Sequence, residues 1–518
     1  MIQDFSAQLS ALVCPRCRAG LGRVSLAPET ESLACPACGE TYPHRQAMLI
    51  LFYVDDSWFW PLHEFLAYHT MREKVETGGI EENRLAMAAQ FFKDAGKTTE
   101  EMTEAGIASL GAHQGRLVLD AACGCCGLSK TLSDRGFRLI ALDLNVSDLL
   151  FPRSTDGTYD APNAYAAYLD KSRAFPPEEI RFLRVAGNLL NLPIRDGGVD
   201  AVFSRAMLHH LDPLVPAMEE IGRVLKPGGV WVASAEPSAG LLDWEPDSIV
   251  DWSIEYEEGV HEQFPRLWTY YRGFRAGGME VEQFNLWEAR YRLNLGLRRR
   301  RRFRLSWVSR PMASPERRVL PFHQMIWMNC VGNFTARRTT APPPRRALDP
   351  SRRRFAKPEW FLDPARHIQE LRAALRQLVP VHKLANPARL GRLRHPEIQL
   401  TGFQFPERVE GRLVRYPTGS ATIYLPPPKG GGPRVCWLEY FTPTAAASQA
   451  ITARASVNGR PLGTINQGAP GPHRVEFPIA PELLREPGAV EIAFTFEGAW
   501  RDAAGRVLRL PIERVGIQ

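Results

Sequence analysis

The chain has 518 residues, of which 44% are hydrophobic and 23% are charged, and its formal net charge is +7. This length exceeds one ordinary hydrophobic core and predicts about three domains. The sequence has no apolar run near the roughly 18 residues that a membrane-spanning helix needs, and its start, MIQDFSAQLSALVCPRC, lacks the features of a secretory signal. We therefore expect a cytoplasmic protein that joins several functions.

Two CPxC pairs lie near the start of the chain. Cys14 and Cys17 form CPRC, and Cys35 and Cys38 form CPAC after the intervening residues 18–34. Each pair is typical of a tight turn that points two thiolates at one tetrahedral ion. Four sulfur ligands leave no position for water, so the spacing predicts a structural zinc ribbon. Free or disulfide-bonded cysteines are the alternative, although disulfides rarely persist in the cytosol.

The ribbon sequence, with LVCPRC, LACPACGETYP and the following MLILF, resembles a small zinc-ribbon family whose members accompany or activate methyltransferases. The resemblance covers about residues 10–55. It implies a docking or substrate-presenting module that assists a catalytic domain further along the chain.

Residues 56–115 are predicted to be helical, with amphipathic spacing in EENRLAMAAQFFKDAG and TEEMTEAGIASLG, and to cap the next domain. A different pattern then begins, because RLVLD and RLIALDLN are short apolar runs that end in an acid, with the helix-like SKTLSDRG between them. Alternating strands and helices of this length favour a parallel, doubly wound α/β sheet. Such sheets bind ligands at the carboxyl ends of their strands, where these acids are expected.

A loop rich in small residues follows the first of these runs, in VLDAACGCCGLS. Its three cysteines crowd one turn, where they cannot all converge on one metal ion while a fourth ligand is missing. A ligand loop does need small residues, because its backbone turns sharply from strand to helix and the ligand approaches closely. Ala122, Gly124 and Gly127 meet this need, which indicates a ligand-binding loop.

Four segments carry a family resemblance when they are taken in order: VLDAACGCCGLS, ALDLN, GNLLNLPIRDGGVDAVFSRAMLHHLDP and EEIGRVLKPGGVWVASAEP. Together they resemble the class I S-adenosylmethionine-dependent methyltransferases, particularly the branch that shares the LHHL and RVLKPGG segments. The resemblance covers about residues 110–240. It implies a Rossmann-like domain that binds S-adenosylmethionine (SAM) and transfers its methyl group.

The resemblance also implies roles for individual residues. Asp120 matches the acid that ends the first strand, and Gly124 matches the central glycine beside the amino acid portion of the cofactor. Asp143 matches the acid that accepts hydrogen bonds from both ribose hydroxyls, for which two carboxylate oxygens are suited. Asn188 stands where the family usually has an aspartate beside the adenine amino group, and Leu189 would flank the ring. The full cofactor set expected is Asp120, Ala122, Cys123, Gly124, Gly127, Asp143, Leu144, Asn188, Leu189 and Arg205.

Two positions depart from the family pattern, which usually has glycine in place of Ala122 and Cys126. A cysteine restricts the backbone if the site demands a positive φ, but Gly127 follows immediately and could take the turn. We expect a functional cofactor site, and a degenerate, non-catalytic domain is the alternative.

Two histidines are candidates for a catalytic base. Methyl transfer from a sulfonium is an in-line displacement in which the enzyme mainly positions the nucleophile, and it removes a proton when the nucleophile is weak. Ser204, Arg205, His209 and His210 are expected near the methyl donor. Either histidine could be the base, because histidine titrates in the useful range. In the alternative, one histidine caps the following helix and the other packs beside the cofactor.

Basic and aromatic residues mark residues 246–397, for which we predict a helical insertion over the substrate mouth and a linker. An arginine belt here fits contact with RNA, an anionic polymer or a membrane surface, and a solvated face is the alternative. The belt comprises Arg298–Arg302, Arg304, Arg337, Arg338, Arg345, Arg346 and Arg352–Arg354.

Short strands dominate residues 398–518. RLVRY, SATIYLP, RVCWLEYF, ITARASV, HRVEFPI, AVEIAFTF and LRLPIERV are separated by Gly, Pro and Asn at spacings that suit an all-β sandwich. Asn458 and Gly459 in VNGRPLG predict a hairpin turn. The array, with GFQFPE and VNG, resembles the jelly-roll accessory modules of bacterial carbohydrate-active enzymes and glycan-cluster transferases. It implies carbohydrate binding, and a stabilising or dimerising domain is the alternative.

These patterns predict a zinc ribbon at 1–55, a helical cap at 56–115, a SAM-binding core at 116–245, a helical and basic insertion at 246–397 and a β-sandwich at 398–518. The leading hypothesis is a methyltransferase for a small molecule or glycan, with SAM as its cofactor and a structural zinc ion. One alternative is an RNA methyltransferase, since a ribbon before this domain also resembles a bacterial ribosomal RNA guanine methyltransferase and the arginine belt could hold phosphates. The other alternative is a non-catalytic scaffold. The sequence leaves the methyl acceptor and the oligomeric state open.

Overall fold

The computed structural model divides the chain into two compact units. The first comprises Met1–Val54, Val75–Trp252 and Glu262–Leu362, and the second comprises Asp55–Lys74, Ser253–His261 and Asp363–Gln518. The structure describes residues 5–21, 32–45, 48–78, 80, 85–86, 99–111, 115–155, 158, 164–239, 254–261, 263–287, 330–339, 352–393, 396–403, 407–428, 434–446, 448–502 and 507–518. Over these residues, no helix is both long enough and apolar enough to cross a membrane.

A ten-stranded sheet forms the centre of the first unit. Its strands are β1 Ser32–Ala34, β2 Thr41–Arg45, β3 Met48–Ile50, β4 Leu117–Ala121, β5 Arg138–Asp143, β6 Leu183–Ala186, β7 Val199–Arg205, β8 Leu225–Ser238, β9 Met279–Trp287 and β10 Cys330–Arg338. The strand order is β1-β2-β3-β6-β5-β4-β7-β8-β10-β9. The run from β3 to β8 in this order is parallel, and the pairs outside it are antiparallel. This is the doubly wound, Rossmann-like arrangement that the sequence predicts, and its order reverses beside β4.

Helices connect the parallel strands. Over the described residues, the α-helices of the first unit are Ser6–Ala11, Gly127–Asp134, Val146–Leu150, Ala164–Leu169, Leu214–Val224 and Leu267–Ala276, and residues 85–86 and 99–109 are also helical. The Leu214–Val224 helix buries Leu214, Ala217, Met218 and Ile221, which is the spacing of one helical face. Every residue of β4 and of β6 is buried, as is typical of central strands in a parallel sheet.

The CPxC region is continuous with this sheet. Met48, Leu49 and Ile50 of β3 pair in parallel with Arg184, Val185 and Ala186 of β6. Side chains of the CPxC region and of the parallel strands also belong to one hydrophobic core. This core includes Tyr42, Leu49 and Leu51 from the CPxC region and Leu142, Val185 and Leu192 from the parallel part of the unit.

Residues 246–397 contain strands as well as the helices that the sequence predicts. The Leu267–Ala276 helix agrees with the expectation, whereas β9 and β10 extend the sheet beyond β8. The pairing satisfies the backbone groups of the β8 edge, and β10 buries Phe334 and Ala336 in the core. A purely helical insertion was therefore the wrong expectation for this part of the chain.

Two antiparallel sheets share one hydrophobic core in the second unit. Its strands are β11 Ala388–Arg389, β12 Leu400–Phe403, β13 Glu407–Val409, β14 Arg412–Val414, β15 Pro417–Leu425, β16 Arg434–Thr442, β17 Thr452–Val457, β18 Arg460–Asn466, β19 Gly471–Ile479, β20 Val490–Glu497, β21 Trp500–Arg501, β22 Val507–Leu508 and β23 Ile512–Ile517. The sheet orders are β12-β15-β20-β17-β18 and β11-β23-β16-β19. Ile423 and Phe494 of one sheet and Leu438 and Val515 of the other lie in the common core.

Helices and a tight turn complete the second unit. Its helices are Phe59–Thr77, whose last three residues belong to the first unit, Ile254–Glu257, Ile368–Leu378 and Pro396–Gln399. Between β17 and β18, Asn458 and Gly459 have φ values of 47° and 77°. This is the hairpin that the VNG sequence predicts.

Candidate functional site

The candidate site lies at the carboxyl ends of β4, β5 and β7. These strands are neighbours at the point where the strand order reverses, which is where doubly wound sheets bind ligands. The loop after β4 leads into the Gly127–Asp134 helix, and the predicted cofactor residues occupy this loop and the ends of the neighbouring strands.

The loop after β4 has three residues in the left-handed conformation. Ala122, Gly124 and Cys126 have φ values of 58°, 53° and 64°. Gly127 was one residue that could take the turn; in the structure Cys126 takes the left-handed position and Gly127 begins the helix. A left-handed conformation costs a residue with a side chain roughly 1–2 kcal/mol. Strain of this kind persists where surrounding contacts enforce it, often at functional sites.

Asp143 ties this loop to the end of β5. One carboxylate oxygen, Oδ2, accepts the Gly124 N–H at 2.8 Å, and the other, Oδ1, accepts the Asn145 N–H at 2.7 Å. The carboxylate is only partly buried, and so is the neighbouring Leu144. A carboxylate has two oxygens that each accept hydrogen bonds, so the side chain of Asp143 has the chemistry to serve a pair of hydroxyls.

Asp120 lies beneath the loop rather than at its surface. It is 1% exposed, and its Oδ2 accepts the Ser129 hydroxyl at 2.5 Å. Burial raises the pKa of Asp120 to about 6, while the Ser129 hydrogen bond and the charge of Arg205 lower it and that of Asp143 raises it. The structure thus places Asp120 where it fixes the first turn of the helix and lies within electrostatic reach of Arg205.

Tyr168 covers the loop and was missed in the sequence. A Cβ built on Gly124 would lie 2.9 Å from the Tyr168 hydroxyl. The buried Arg153 holds this tyrosine, since its Nε donates to the Tyr168 carbonyl at 2.5 Å and its guanidinium lies 5.3 Å from the ring centroid. The only sequence signal was an aromatic residue between β5 and β6, where the structure forms the Ala164–Leu169 helix.

Asn188 has a buried hydrogen-bond donor that no described residue engages. Its Oδ1 accepts the Leu190 N–H at 2.9 Å, whereas its buried Nδ2 has no hydrogen-bond partner among the residues that the structure describes. A flipped amide would set two donors against each other, so the Leu190 N–H fixes this orientation. An adenine amino group would need an acceptor at this position, whereas the available group of Asn188 is a donor, which suits a ring nitrogen of a ligand. Leu189, beside it, is buried.

His209 and His210 follow β7 as adjacent rings. Their centroids are 4.2 Å apart, with His209 buried and His210 partly exposed. Ser204, which we also expected near the methyl donor, is fully buried and accepts the Trp231 Nε1–H at 3.0 Å. Ser204 therefore has a packing role.

Glu236 holds the loop that carries the histidines. Its fully buried carboxylate accepts the Met207 N–H at 2.9 Å and the Leu208 N–H at 3.0 Å, and lies 3.1 Å from His209 Nδ1. Burial raises the pKa of Glu236 to about 7, although the backbone N–H groups and the charge of His210 lower it. In a neutral His209 ring whose Nδ1 proton is directed at Glu236, Nε2 is the nitrogen that can accept a hydrogen bond or a proton. We did not single out Glu236 in the sequence, although the acid in SAEP near the end of an apolar strand was a usable signal.

The four ribbon cysteines converge in the structure. Their sulfur atoms all lie within 4.8 Å of one another, with 3.7 Å between Cys14 and Cys38 and 3.5 Å between Cys17 and Cys35. Zinc–sulfur bonds of about 2.3 Å in a tetrahedron require sulfur separations of about 3.8 Å. The donor set and its spacing therefore fit a zinc ion.

The first CPxC turn also contacts the segment after Asn188. The Pro15 carbonyl accepts Asn191 Nδ2 at 3.0 Å, and Arg18 donates to the Leu192 carbonyl at 2.6 Å. Arg18 also pairs with Glu220 at 3.0 Å, and Glu220 accepts the Leu192 N–H. The ribbon thus supports the turn that holds Asn188.

Most of the arginine belt lies outside the described residues. Of its described members, Arg337 pairs with Glu282, and Arg338 donates to the Leu225 carbonyl. Arg352 donates to the carbonyls of Pro15 and Arg16, and Arg354 pairs with Glu40. These four arginines are engaged by groups of the protein itself, and the fifth described member, Arg353, lies over the Phe355 ring.

Comparison with known proteins identifies the domain at the site. Residues 119–233 match the family model of a methyltransferase domain, so the chain contains such a domain. The malonyl-[acyl-carrier protein] O-methyltransferase of Pectobacterium atrosepticum is 30% identical over 166 residues, which cover 31% of this chain and 56% of the relative. The sterol 24-C-methyltransferase erg6 of Schizosaccharomyces pombe is 29% identical over 28% of this chain and 32% of its own length.

The chain was also compared with solved structures. Geranyl diphosphate C-methyltransferase from Streptomyces coelicolor A3(2), in complex with S-adenosyl-L-homocysteine, is 16% identical over 46% of this chain and 79% of its own chain, with a TM-score of 0.32. The present chain spans about 56–61% of the length of the first curated relatives it matches.

Proposed function

We propose that this protein is a SAM-dependent methyltransferase that acts on a small molecule or glycan bearing a hydroxyl group. The observation that carries the proposal is that the matched residues 119–233 include the strand ends at which the order of the sheet reverses. At these strand ends Asp143 accepts the Gly124 N–H, and Asn188 has a buried donor with no partner in the described part of the chain. An unfilled buried donor is costly, so a ligand that accepts its hydrogen bond is favoured.

The cofactor residues are assigned as follows. Asp143 would accept hydrogen bonds from the ribose hydroxyls of SAM. The loop around Gly124 would lie along the amino acid portion of SAM. Asn188 and Leu189 would hold the adenine, with Asn188 donating to a ring nitrogen. The remaining members of the proposed set are Asp120, Ala122, Cys123, Gly127, Leu144 and Arg205. When bound, SAM supplies an electrophilic methyl group on a sulfonium.

His209 is our candidate for the base. With Nδ1 directed at Glu236, its Nε2 can accept a proton from the acceptor group. Such a base helps a hydroxyl, which is a weak nucleophile while protonated, but not a carboxylate, which has already lost its proton at neutral pH. This is why we favour a hydroxyl acceptor. His210, whose ring lies beside that of His209, is the second candidate.

The two flanking regions are proposed to have supporting roles. A zinc ion held by the four ribbon cysteines would stabilise the turns that contact the Asn188 segment, and would have no open position for chemistry. The two-sheet unit is proposed to be a β-sandwich of the jelly-roll accessory type that binds part of a glycan acceptor. Its supporting observation is the single core shared by both sheets.

Calorimetric titration of the zinc-loaded protein with S-adenosylhomocysteine (SAH) tests the proposal. We expect binding in the wild type and at least tenfold weaker binding in Asp143→Ala. Asp134→Ala is the matched control, because Asp134 is half exposed and pairs with Lys130 on the outer surface of the next helix. No binding to the wild type, or equal loss in both variants, would contradict the proposed site.

A further inference from the structure

Two of the three loop cysteines are in contact through their sulfur atoms. The sulfur atoms of Cys123 and Cys126 are 3.5 Å apart, and the Cys126 N–H donates to the Cys123 carbonyl at 2.9 Å to close the turn between them. Both residues are buried. Methyl transfer uses no thiol, so the proposed reaction does not explain the pair.

We propose that Cys123 and Cys126 are a modification site, at which hydrogen peroxide forms a reversible intramolecular disulfide, and that this disulfide and the bound cofactor exclude each other. The exclusion rests on the proposed function, whereas formation of the disulfide does not.

The geometry selects this pair within the loop. Cys125, between the two, lies within electrostatic reach of Asp148 and Arg153, and its carbonyl accepts the Arg153 N–H at 2.8 Å. Its backbone is thus fixed to a neighbouring segment. Cys125 is therefore a natural control for any oxidation that does not depend on the close pair.

The chemistry balances with peroxide as the only oxidant. The sulfur of one cysteine attacks a peroxide oxygen and breaks the O–O bond, which gives a sulfenic acid and one water molecule. The second sulfur then attacks the sulfenic sulfur and displaces its oxygen as a second water molecule. Two thiols and one peroxide thus give one disulfide and two waters.

Only a small movement is needed to form the bond. A disulfide has a sulfur–sulfur distance of about 2.0 Å, so the sulfurs must approach by about 1.5 Å from their present 3.5 Å. Between them lies Gly124, whose φ of 53° strains no side chain. The backbone of the turn is therefore already folded for closure.

Closure would change the part of the loop that meets the cofactor. The Cys123 N–H donates to the Leu142 carbonyl at 3.0 Å, and the next N–H, from Gly124, donates to Asp143. Movement of the Cys123 side chain towards Cys126 would distort both of these hydrogen bonds. A bound cofactor would hold the same backbone in place and so oppose closure.

The reaction is expected to be slow. Burial raises the pKa of the Cys123 thiol, and the proximity of Cys126 and of the carboxylates adds to this effect. Since the thiolate is the form that attacks peroxide, we expect oxidation over minutes to hours in millimolar peroxide rather than within seconds.

Mass spectrometry of the zinc-loaded, full-length protein provides the test. Trypsin releases the three loop cysteines in one peptide, residues 117–130. After peroxide treatment, this peptide should lose two hydrogens in the wild type and in Cys125→Ala, and dithiothreitol should restore them. Cys123→Ala and Cys126→Gly should show no such loss. Glycine is chosen at position 126 because that residue is left-handed.

Repeating the oxidation with SAH tests the exclusion. At about 100 times its Kd, SAH leaves only about 1% of the protein free, so oxidation should slow by about 100-fold. Irreversible oxygen addition, or loss of the disulfide in Cys125→Ala, would overturn the modification site. An unchanged rate while calorimetry shows SAH bound would overturn the exclusion. Failure of SAH to bind would count against the proposed function, and the peptide masses would still decide the disulfide.

Discussion

Replacing Glu236 with glutamine would test how one buried carboxylate controls the histidine loop. Its pKa is raised from a usual value of 4.5 to about 7 because it is fully buried. Between these two values the folded protein binds a proton that the unfolded chain has released. The stabilisation is therefore fully present below about pH 4.5 and is lost as the pH rises through 7. The difference between the two pKa values corresponds to at most about 3 kcal/mol of unfolding free energy.

Glutamine does not titrate, so Glu236→Gln should remove this loss. We expect the wild type to lose up to about 3 kcal/mol of unfolding free energy between pH 4.5 and 8 relative to the variant. Urea unfolding at several pH values measures the difference. Glu178→Gln is the control, because Glu178 is exposed. Parallel pH curves for the wild type and Glu236→Gln would refute the reasoning.

The same variant tests the orientation of His209. The glutamine amide would donate to His209 Nδ1, which forces the ring proton onto Nε2 and removes the acceptor that a base needs. Nitrogen-15 NMR of the histidine ring should show this change of tautomer. With a true acceptor in hand, kcat should fall by about 100-fold or more while SAH affinity is retained. An unchanged tautomer would show that Glu236 does not orient the ring.

Three further predictions concern the loop and the ribbon. Gly124→Ala places a Cβ 2.9 Å from the Tyr168 hydroxyl in a left-handed residue, so SAH affinity should fall, and adding Tyr168→Phe should restore part of it in calorimetry. Arg18→Ala should weaken SAH binding, because Arg18 donates to the Leu192 carbonyl in the segment after Asn188. Arg16→Ala should not, because Arg16 pairs with Glu40 in the ribbon. Equal effects of the two variants on SAH affinity would contradict the proposed support of the Asn188 segment by the ribbon. Cys38→Ser should lower the zinc content measured by mass spectrometry and the thermal unfolding temperature together, and a variant that kept both would exclude the metal site.

Much of the first unit follows from local sequence. Apolar runs that end in an acid place Asp120 and Asp143 at neighbouring strand ends, since parallel strands align their carboxyl ends. The CPxC pairs predict four converging sulfurs because each turn fixes two of them. These features depend on short stretches of chain, so their spacing alone is informative.

The remaining features depend on contacts between distant segments. Glu236 meets His209 only because β8 lies beside β7, and Tyr168 meets Gly124 through a connection that no periodic pattern describes. The left-handed Cys126 also contradicted the conformational preference of its residue type, because the surrounding hydrogen bonds override it. The strands β9 and β10 were missed because their pairing with β8 is a long-range property.

The pairing of β3 with β6 also bears on how the protein is assembled. A separate ribbon protein would have to find this sheet edge at the concentration at which both proteins occur. Here the two strands belong to one chain, so their pairing is intramolecular and does not depend on the concentration of the protein. The pairing also covers a strand edge that could otherwise recruit a second molecule. The ribbon and the methyltransferase domain should therefore be made in fixed one-to-one proportion and remain associated at any dilution.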